Sequence, residues 1–178
     1  MTREDCVLLR KQCFEWLTNR GVIPSSEETV DCYISSMPLC HHAPYYTEPF
    51  YGDVHIKSVG INIPLFSLVY HDCIVIPWDG AMGKKSIMGF IPSDEWAFLH
   101  ALLNAGTVYI SPEADGAALE RVKTALSLFK HAAHLQMVSH EFVGNSYKKQ
   151  RTVFSDGTTV YVDFDADTYE IYYPVEFA

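Results

Sequence analysis

Cys6, Leu9, Cys13, Trp16 and Leu17 recur at steps of three and four residues, which predicts an amphipathic helix over 2–20 with that stripe inward. Thr2 and Asp5 predict its N-cap as a short-armed capping box. Asn19-Arg20-Gly21 predicts its stop, because glycine takes the left-handed conformation after a helix without a Cβ clash. Val22-Ile23 then predicts a short buried strand, ended by Pro24 and Ser25-Ser26. Residues 63–77 are nearly continuous in apolar side chains, which suits a strand covered on both faces, with His71-Asp72 marking its end or a buried polar site. Ser93 predicts the cap of a second helix, with Asp94 and Glu95 in its first turn and Trp96, Leu99, Leu102 and Leu103 inward. Asn104-Ala105-Gly106 stops it before a short strand over 107–110. A third helix follows Pro112 and Gly116, with Leu119, Val122, Leu126, Phe129 and Ala133 inward. From Arg151 the period becomes two. Asp156-Gly157 predicts a type I′ hairpin turn, and Val160, Val162 and Phe164 alternate with polar neighbours.

The order is therefore α/β over 1–145 and antiparallel β over 146–178. The 178 residues are 48% apolar and 20% charged, enough for a core and without a disorder signature. Lys+Arg number 13 against 22 Asp+Glu, a net charge of −9, which argues against nucleic acid as a partner. No apolar stretch approaches the ~18–20 residues that span a bilayer, and Arg3, Glu4, Asp5, Arg10, Lys11 and Glu15 do not read as a signal peptide. Five cysteines without CxxC spacing argue against a zinc ribbon or a complete disulfide framework. The expected compartment is the cytoplasm if the chain is complete, with secretion open if an N-terminal part is missing.

Four stretches carry a resemblance: Gly21-Val22-Ile23 with Ser26-Glu27; His41-His42-Ala43-Pro44; Ile63-Pro64-Leu65-Phe66-Ser67-Leu68-Val69-Tyr70-His71-Asp72; and Pro77-Trp78-Asp79. Leu102-Leu103-Asn104-Ala105-Gly106, His140-Glu141-Phe142 and Arg151-Thr152-Val153-Phe154-Ser155-Asp156-Gly157 extend it. Together they resemble the C-terminal part of a glycoside-hydrolase-like (β/α)8 barrel, among glycosidase-related families near the endo-α-N-acetylgalactosaminidase type. The resemblance implies an α/β fold: a partial barrel segment of parallel strands and helices, followed by a small antiparallel tail that starts an accessory β domain. A whole barrel takes roughly 200–250 residues, so a chain of this length supplies a few strand–helix units and leaves strand edges open to self-association.

The barrel reading puts Glu27 at the C-terminal rim of its strand, as general acid; the plainer alternative is a solvent-facing carboxylate. Asp72 is the candidate partner carboxylate, oriented by His71, against a buried pair that satisfies only itself. Trp78 and Asp79 read as a sugar-stacking platform with a hydroxyl acceptor, or as a loop with a partly buried indole. His41, His42 and Tyr46 read as sugar contacts. Adjacent histidines on a strand point to opposite faces, so no metal is assigned. His100, His131, His134 and His140 read as surface or interface groups on helical stretches. Phosphate loops, GxSxG and HExxH are missing, and no cofactor is expected. The leading function is a carbohydrate-active glycoside hydrolase, or a terminal fragment of one that is inactive alone; the alternative is a non-catalytic α/β binding module. Convergence of Glu27, Asp72 and Asp79 on one cleft separates the two.

Overall fold

The computed structural model describes residues 2–28, 31–42, 50–51, 54–55, 63–79 and 96–175. Helix α1 (Arg3–Thr18) starts as expected: Thr2 Oγ1 accepts from the Asp5 N–H at 3.1 Å, and the Asp5 carboxylate accepts from the Thr2 N–H at 2.6 Å. Gly21, at φ +74°, follows its end. Its inward face is another matter. Cys6 and Leu17 of the expected stripe are half-buried together with Val7 and Phe14, whereas Cys13, Leu9 and Trp16 are exposed, the last two at 51% and 55%. The helix carries two apolar stripes, and its tertiary partner chooses between them. That partner is Tyr33, on a 3-10 turn (Asp31–Ser36), whose ring meets Phe14 edge-on at 5.7 Å. Trp16 is left under the Arg20 guanidinium, 3.7 Å from its ring centre.

Val22 and Ile23 are exposed and form no strand. The first strand is β1 (Ser25–Glu28), which begins at the Ser25-Ser26 pair expected to end one. It pairs in parallel with β2 (Leu39–His42), Ser26 opposite Cys40 and Glu28 opposite His42. Strands β3 (Phe50–Tyr51) and β4 (Val54–His55) form a small antiparallel pair. Residues 63–77 are not one strand either. Fifteen extended residues would run about 50 Å, longer than strands in domains of this size. Instead, α2 (Leu65–Tyr70) is followed by a turn at 71–73 and then β5 (Pro77–Asp79). Periodicity cannot tell a short buried strand from a short helix.

A parallel bridge between Leu39 and Val75 joins β2 to the start of the β5 segment. Strand β5 in turn pairs in parallel with β6 (Thr107–Tyr109), Trp78 opposite Val108 and Asp79 opposite Tyr109. The parallel neighbours thus follow in the order β1, β2, β5, β6. Helix α3 (Ala97–Leu103) is buried throughout because it lies between two layers. Ala97 and Ala101 pack with Cys40, Ile74, Ile76 and Trp78. Phe98, Leu99, Leu102 and Leu103 pack with Phe154, Val160, Val162 and Phe164. Its expected start at Ser93, Asp94 and Glu95 lies outside the described residues.

Helix α4 (Gly116–Ala132) is capped by Asp115, which accepts from the Ala118 N–H at 2.7 Å. It buries Ala118, Val122, Ala125, Leu128 and Ala132, while Leu119 and Leu126 stay exposed. The period is as expected and the face is rotated: the small residues permit the closer approach. The remaining strands, β7 (Met137–Val143), β8 (Ser146–Phe154), β9 (Thr159–Asp163) and β10 (Thr168–Tyr172), form one antiparallel sheet in the order β10-β9-β8-β7. The sheet begins before Arg151, so His140 lies on a strand rather than a helix. Both positive-φ residues of a type I′ turn are Gly144 and Asn145, between β7 and β8. At Asp156-Gly157 only Gly157 has positive φ (+94°). Asp156 instead accepts from the Thr158 N–H at 2.8 Å, which makes a longer loop.

Candidate functional site

The side of the parallel strands facing α3 is filled by core: Cys40 and Trp78 are buried there, and Val108 packs against it. Alternation puts the residues between them on the opposite side. Two of these meet. The rings of His41 and Tyr109 stack with centroids 6.0 Å apart at 13°, and His41 Nδ1 is hydrogen-bonded to the Tyr109 hydroxyl. Burial, reinforced by the neighbouring Cys40, pushes the Tyr109 hydroxyl above its ordinary pKa. The register adds two backbone positions. Glu27 falls between the pairs Ser26–Cys40 and Glu28–His42, level with His41, and Asp79 is opposite Tyr109. All four positions lie toward the C-terminal ends of their strands. His42 is at that end of β2, opposite Glu28, and Tyr46 lies outside the described residues.

Other expected site residues are placed elsewhere. Trp78 is 8% exposed and stacks on His100, centroids 5.9 Å apart, so the indole is a core group with no face free for a sugar. His71 is buried at the end of α2; its Nδ1 lies 2.7 Å from the Leu135 carbonyl and its ring against Phe154. Asp72 follows it in the turn that enters β5 and accepts from the Cys73 thiol at 3.3 Å. That turn is at the N-terminal side of the parallel strands, so Asp72 does not converge with Glu27 and Asp79. A cavity of about 740 Å³, bordered by Lys11, Ile23, Pro24, Ile34, Pro38 and Tyr70, also opens at that N-terminal side.

The remaining histidines divide. His134 is exposed, as expected. His100 is enclosed between Trp78 and Phe164. His140 faces Thr152 across the sheet, and burial lowers its pKa to about 4. His131 Nε2 lies 2.7 Å from Asp156 Oδ2 and 2.9 Å from Thr158 Oγ1. Both groups meet the same nitrogen, and the trio ties α4 to the β8–β9 loop. Burial favours the neutral Asp156 carboxyl, but the bonds from Thr158 and His131 outweigh it and hold its pKa below the ordinary value. Among the described residues no group of three or more His, Cys, Asp or Glu is arranged to hold a metal, and no helix is long and apolar enough to cross a membrane.

Tyr109 is the site residue that sequence reasoning missed. Its strand is legible, and alternation with Val108 sets its face, but nothing local links it to a histidine 68 positions earlier.

No protein-family model and no curated protein matches the chain. Solved structures do. The ligand-free α-N-acetylgalactosaminidase NagBb from Bifidobacterium bifidum is 37% identical with a TM-score of 0.81, covering 97% of this chain and 27% of its own. The same enzyme in its GalNAc complex gives 35%, 0.80, 97% and 28%. Its Gal-NHAc-DNJ complex gives 33%, 0.78, 96% and 28%. The chain thus spans about a quarter of the length of that enzyme and is related to a segment of a glycosidase, with mixed helices and strands, parallel pairs and one antiparallel sheet.

Proposed function

We propose that this chain forms one side of the sugar-binding cleft of a glycoside hydrolase acting on α-linked N-acetylgalactosamine, with the rest of the cleft supplied by strand–helix units beyond it. The observation that carries the reading is the rim itself: His41 and Tyr109 meet there, and the register sets the Glu27 and Asp79 positions beside them at the C-terminal ends of consecutive parallel strands. Barrel hydrolases place their chemistry at that end. In this reading Glu27 is the general acid, His41 and His42 contact the sugar, and Asp79 accepts from a sugar hydroxyl. Trp78, His71 and Asp72 serve the core and the opposite end, so the expected three-carboxylate cleft is not formed within this chain. The rim and the similarity to NagBb support the hydrolase reading.

Hydrolysis needs two carboxyl groups at a set separation, ~5–5.5 Å for retention or ~6.5–9.5 Å for inversion. With Asp79 assigned to a sugar hydroxyl, the second carboxyl in this reading comes from outside the chain. The series β1, β2, β5, β6 would be half of an eight-stranded barrel, and NagBb is nearly four times as long as the segment it shares. The outward stripe of α1, with Leu9 and Trp16, is where a preceding unit would pack. Left open, that stripe and the β1 edge favour self-association.

The test is a chimera in which this chain replaces the matching segment of NagBb, assayed on an aryl α-N-acetylgalactosaminide. It should turn over, and Glu27→Gln should lower kcat by about 10²–10⁴, the usual contribution of a general acid. The 178-residue chain alone should not turn over. Hydrolysis by the chain alone, unaffected by Glu27→Gln, would refute the reading. Sugar binding without turnover, in the chimera as well, would favour the non-catalytic binding module.

A further inference from the structure

We infer that Tyr109 is a positioning residue for His41: its hydroxyl donates to Nδ1, fixes the imidazole as the Nε2–H tautomer, and leaves Nε2–H at the strand rim as an oriented donor to a sugar oxygen. Only the last clause rests on the carbohydrate reading above. The pair spans more than neighbouring strands. Strand β5 lies between β2 and β6, an interval of about 10 Å, yet the rings are centred 6.0 Å apart. They lean together over the β5 segment on the face away from α3. Pro77 has a compact ring, and its register opposite Thr107 puts it on that face.

The stacked geometry sets the partners, and the donor–acceptor inventory of the two groups gives the direction proposed. The Tyr109 hydroxyl keeps its proton at neutral pH, since burial raises its pKa. Among the described residues Nδ1 of His41 is the group it meets, with the phenol assigned as donor to that nitrogen's lone pair. A neutral imidazole that accepts at Nδ1 carries its own proton at Nε2. Near-parallel stacking holds the ring plane as well, and a ring flip would break the hydroxyl bond. His41 itself is partly exposed, and its Nε2 meets no hydrogen-bonding group among the described residues. The result is a donor of defined direction in place of a rotating one, which lowers the ordering cost of ligand binding.

The experiment is a long-range ¹H–¹⁵N correlation spectrum of the 178-residue chain at pH 8, with the His41 signals identified by their loss in His41→Gln. In the unsubstituted chain Nδ1 should give the shift of an unprotonated acceptor and Nε2 that of a protonated nitrogen. Tyr109→Phe keeps the ring and removes the donor, so the two shifts should move toward one another as the second tautomer appears. The rest of the spectrum should be unchanged. An Nδ1–H tautomer in the unsubstituted chain would overturn the proposal even if the variant failed to fold. So would His41 shifts unmoved in a folded Tyr109→Phe chain. The tautomer is read without sugar, so its failure removes the positioning role alone, whereas the carbohydrate reading stands or falls on the chimera.

Discussion

A Cβ added at Gly106 would lie 2.4 Å from Trp78 Cδ1, 2.6 Å from its Nε1 and 2.8 Å from the Ile76 carbonyl oxygen. Neither neighbour can yield cheaply. Trp78 is 8% exposed with His100 stacked on its ring, and the Ile76 oxygen is backbone leading into β5. Relief would have to move β6 away from β5, loosening the pairs Trp78–Val108 and Asp79–Tyr109 that hold the rim. Overpacking of this kind costs 1–3 kcal/mol, and with rigid neighbours Gly106→Ala should fall near about 3 kcal/mol. At roughly 2–4 °C per kcal/mol for a chain of this size, Tm should drop by about 6–12 °C. Two other glycines calibrate the result. Gly157 has open space but φ +94°, so Gly157→Ala should cost only the left-handed strain, about 1–2 kcal/mol. Gly116 has open space and ordinary φ in the first turn of α4, so Gly116→Ala should be neutral or gain ~0.5 kcal/mol. Urea and thermal unfolding followed by far-UV circular dichroism would rank the three. If Gly106→Ala destabilises no more than Gly157→Ala, close approach of β6 to Trp78 is not what requires the glycine.

His140 has a folded pKa of about 4 against 6.5 when free, so the folded state favours the neutral ring. Its stabilisation is complete above pH 6.5 and is lost as pH falls toward 4, about 1–2 kcal/mol after solvent screening of a partly exposed ring is allowed for. Urea midpoints at pH 7 and pH 4 should therefore separate less in His140→Leu than in the unsubstituted chain, and equal separations would discount the ring. Trp16 is 55% exposed, so Trp16→Ala should change stability by less than about 0.5 kcal/mol, where a core tryptophan would cost ~3–5. A chain retaining Trp16 alone should emit as a water-exposed indole, and a blue-shifted spectrum would place it in an interface.

What the sequence determined by itself was local: the Thr2–Asp5 capping box, the Asn19–Gly21 and Asn104–Gly106 stops, the 107–109 strand, and the inward alternation of Val160, Val162 and Phe164. Each depends on groups within a few residues of one another. Where two local answers were nearly equal in energy, only the tertiary structure decided. Helix α1 had two apolar stripes, and Tyr33 selected the one with Phe14. Residues 65–70 read as part of a strand, and they form a helix followed by the turn that leads into β5. Helix α4 had two faces of the same period, and the tighter packing went to its alanines. The candidate site follows the same division. Histidine-rich β2 and the carboxylates Glu27 and Asp79 are visible in the sequence, but their sorting from Asp72 and Trp78 is not. A parallel register fixes which strand ends stand together, and it is made by pairing between segments tens of residues apart. The same long-range pairing is what brings Tyr109 onto His41.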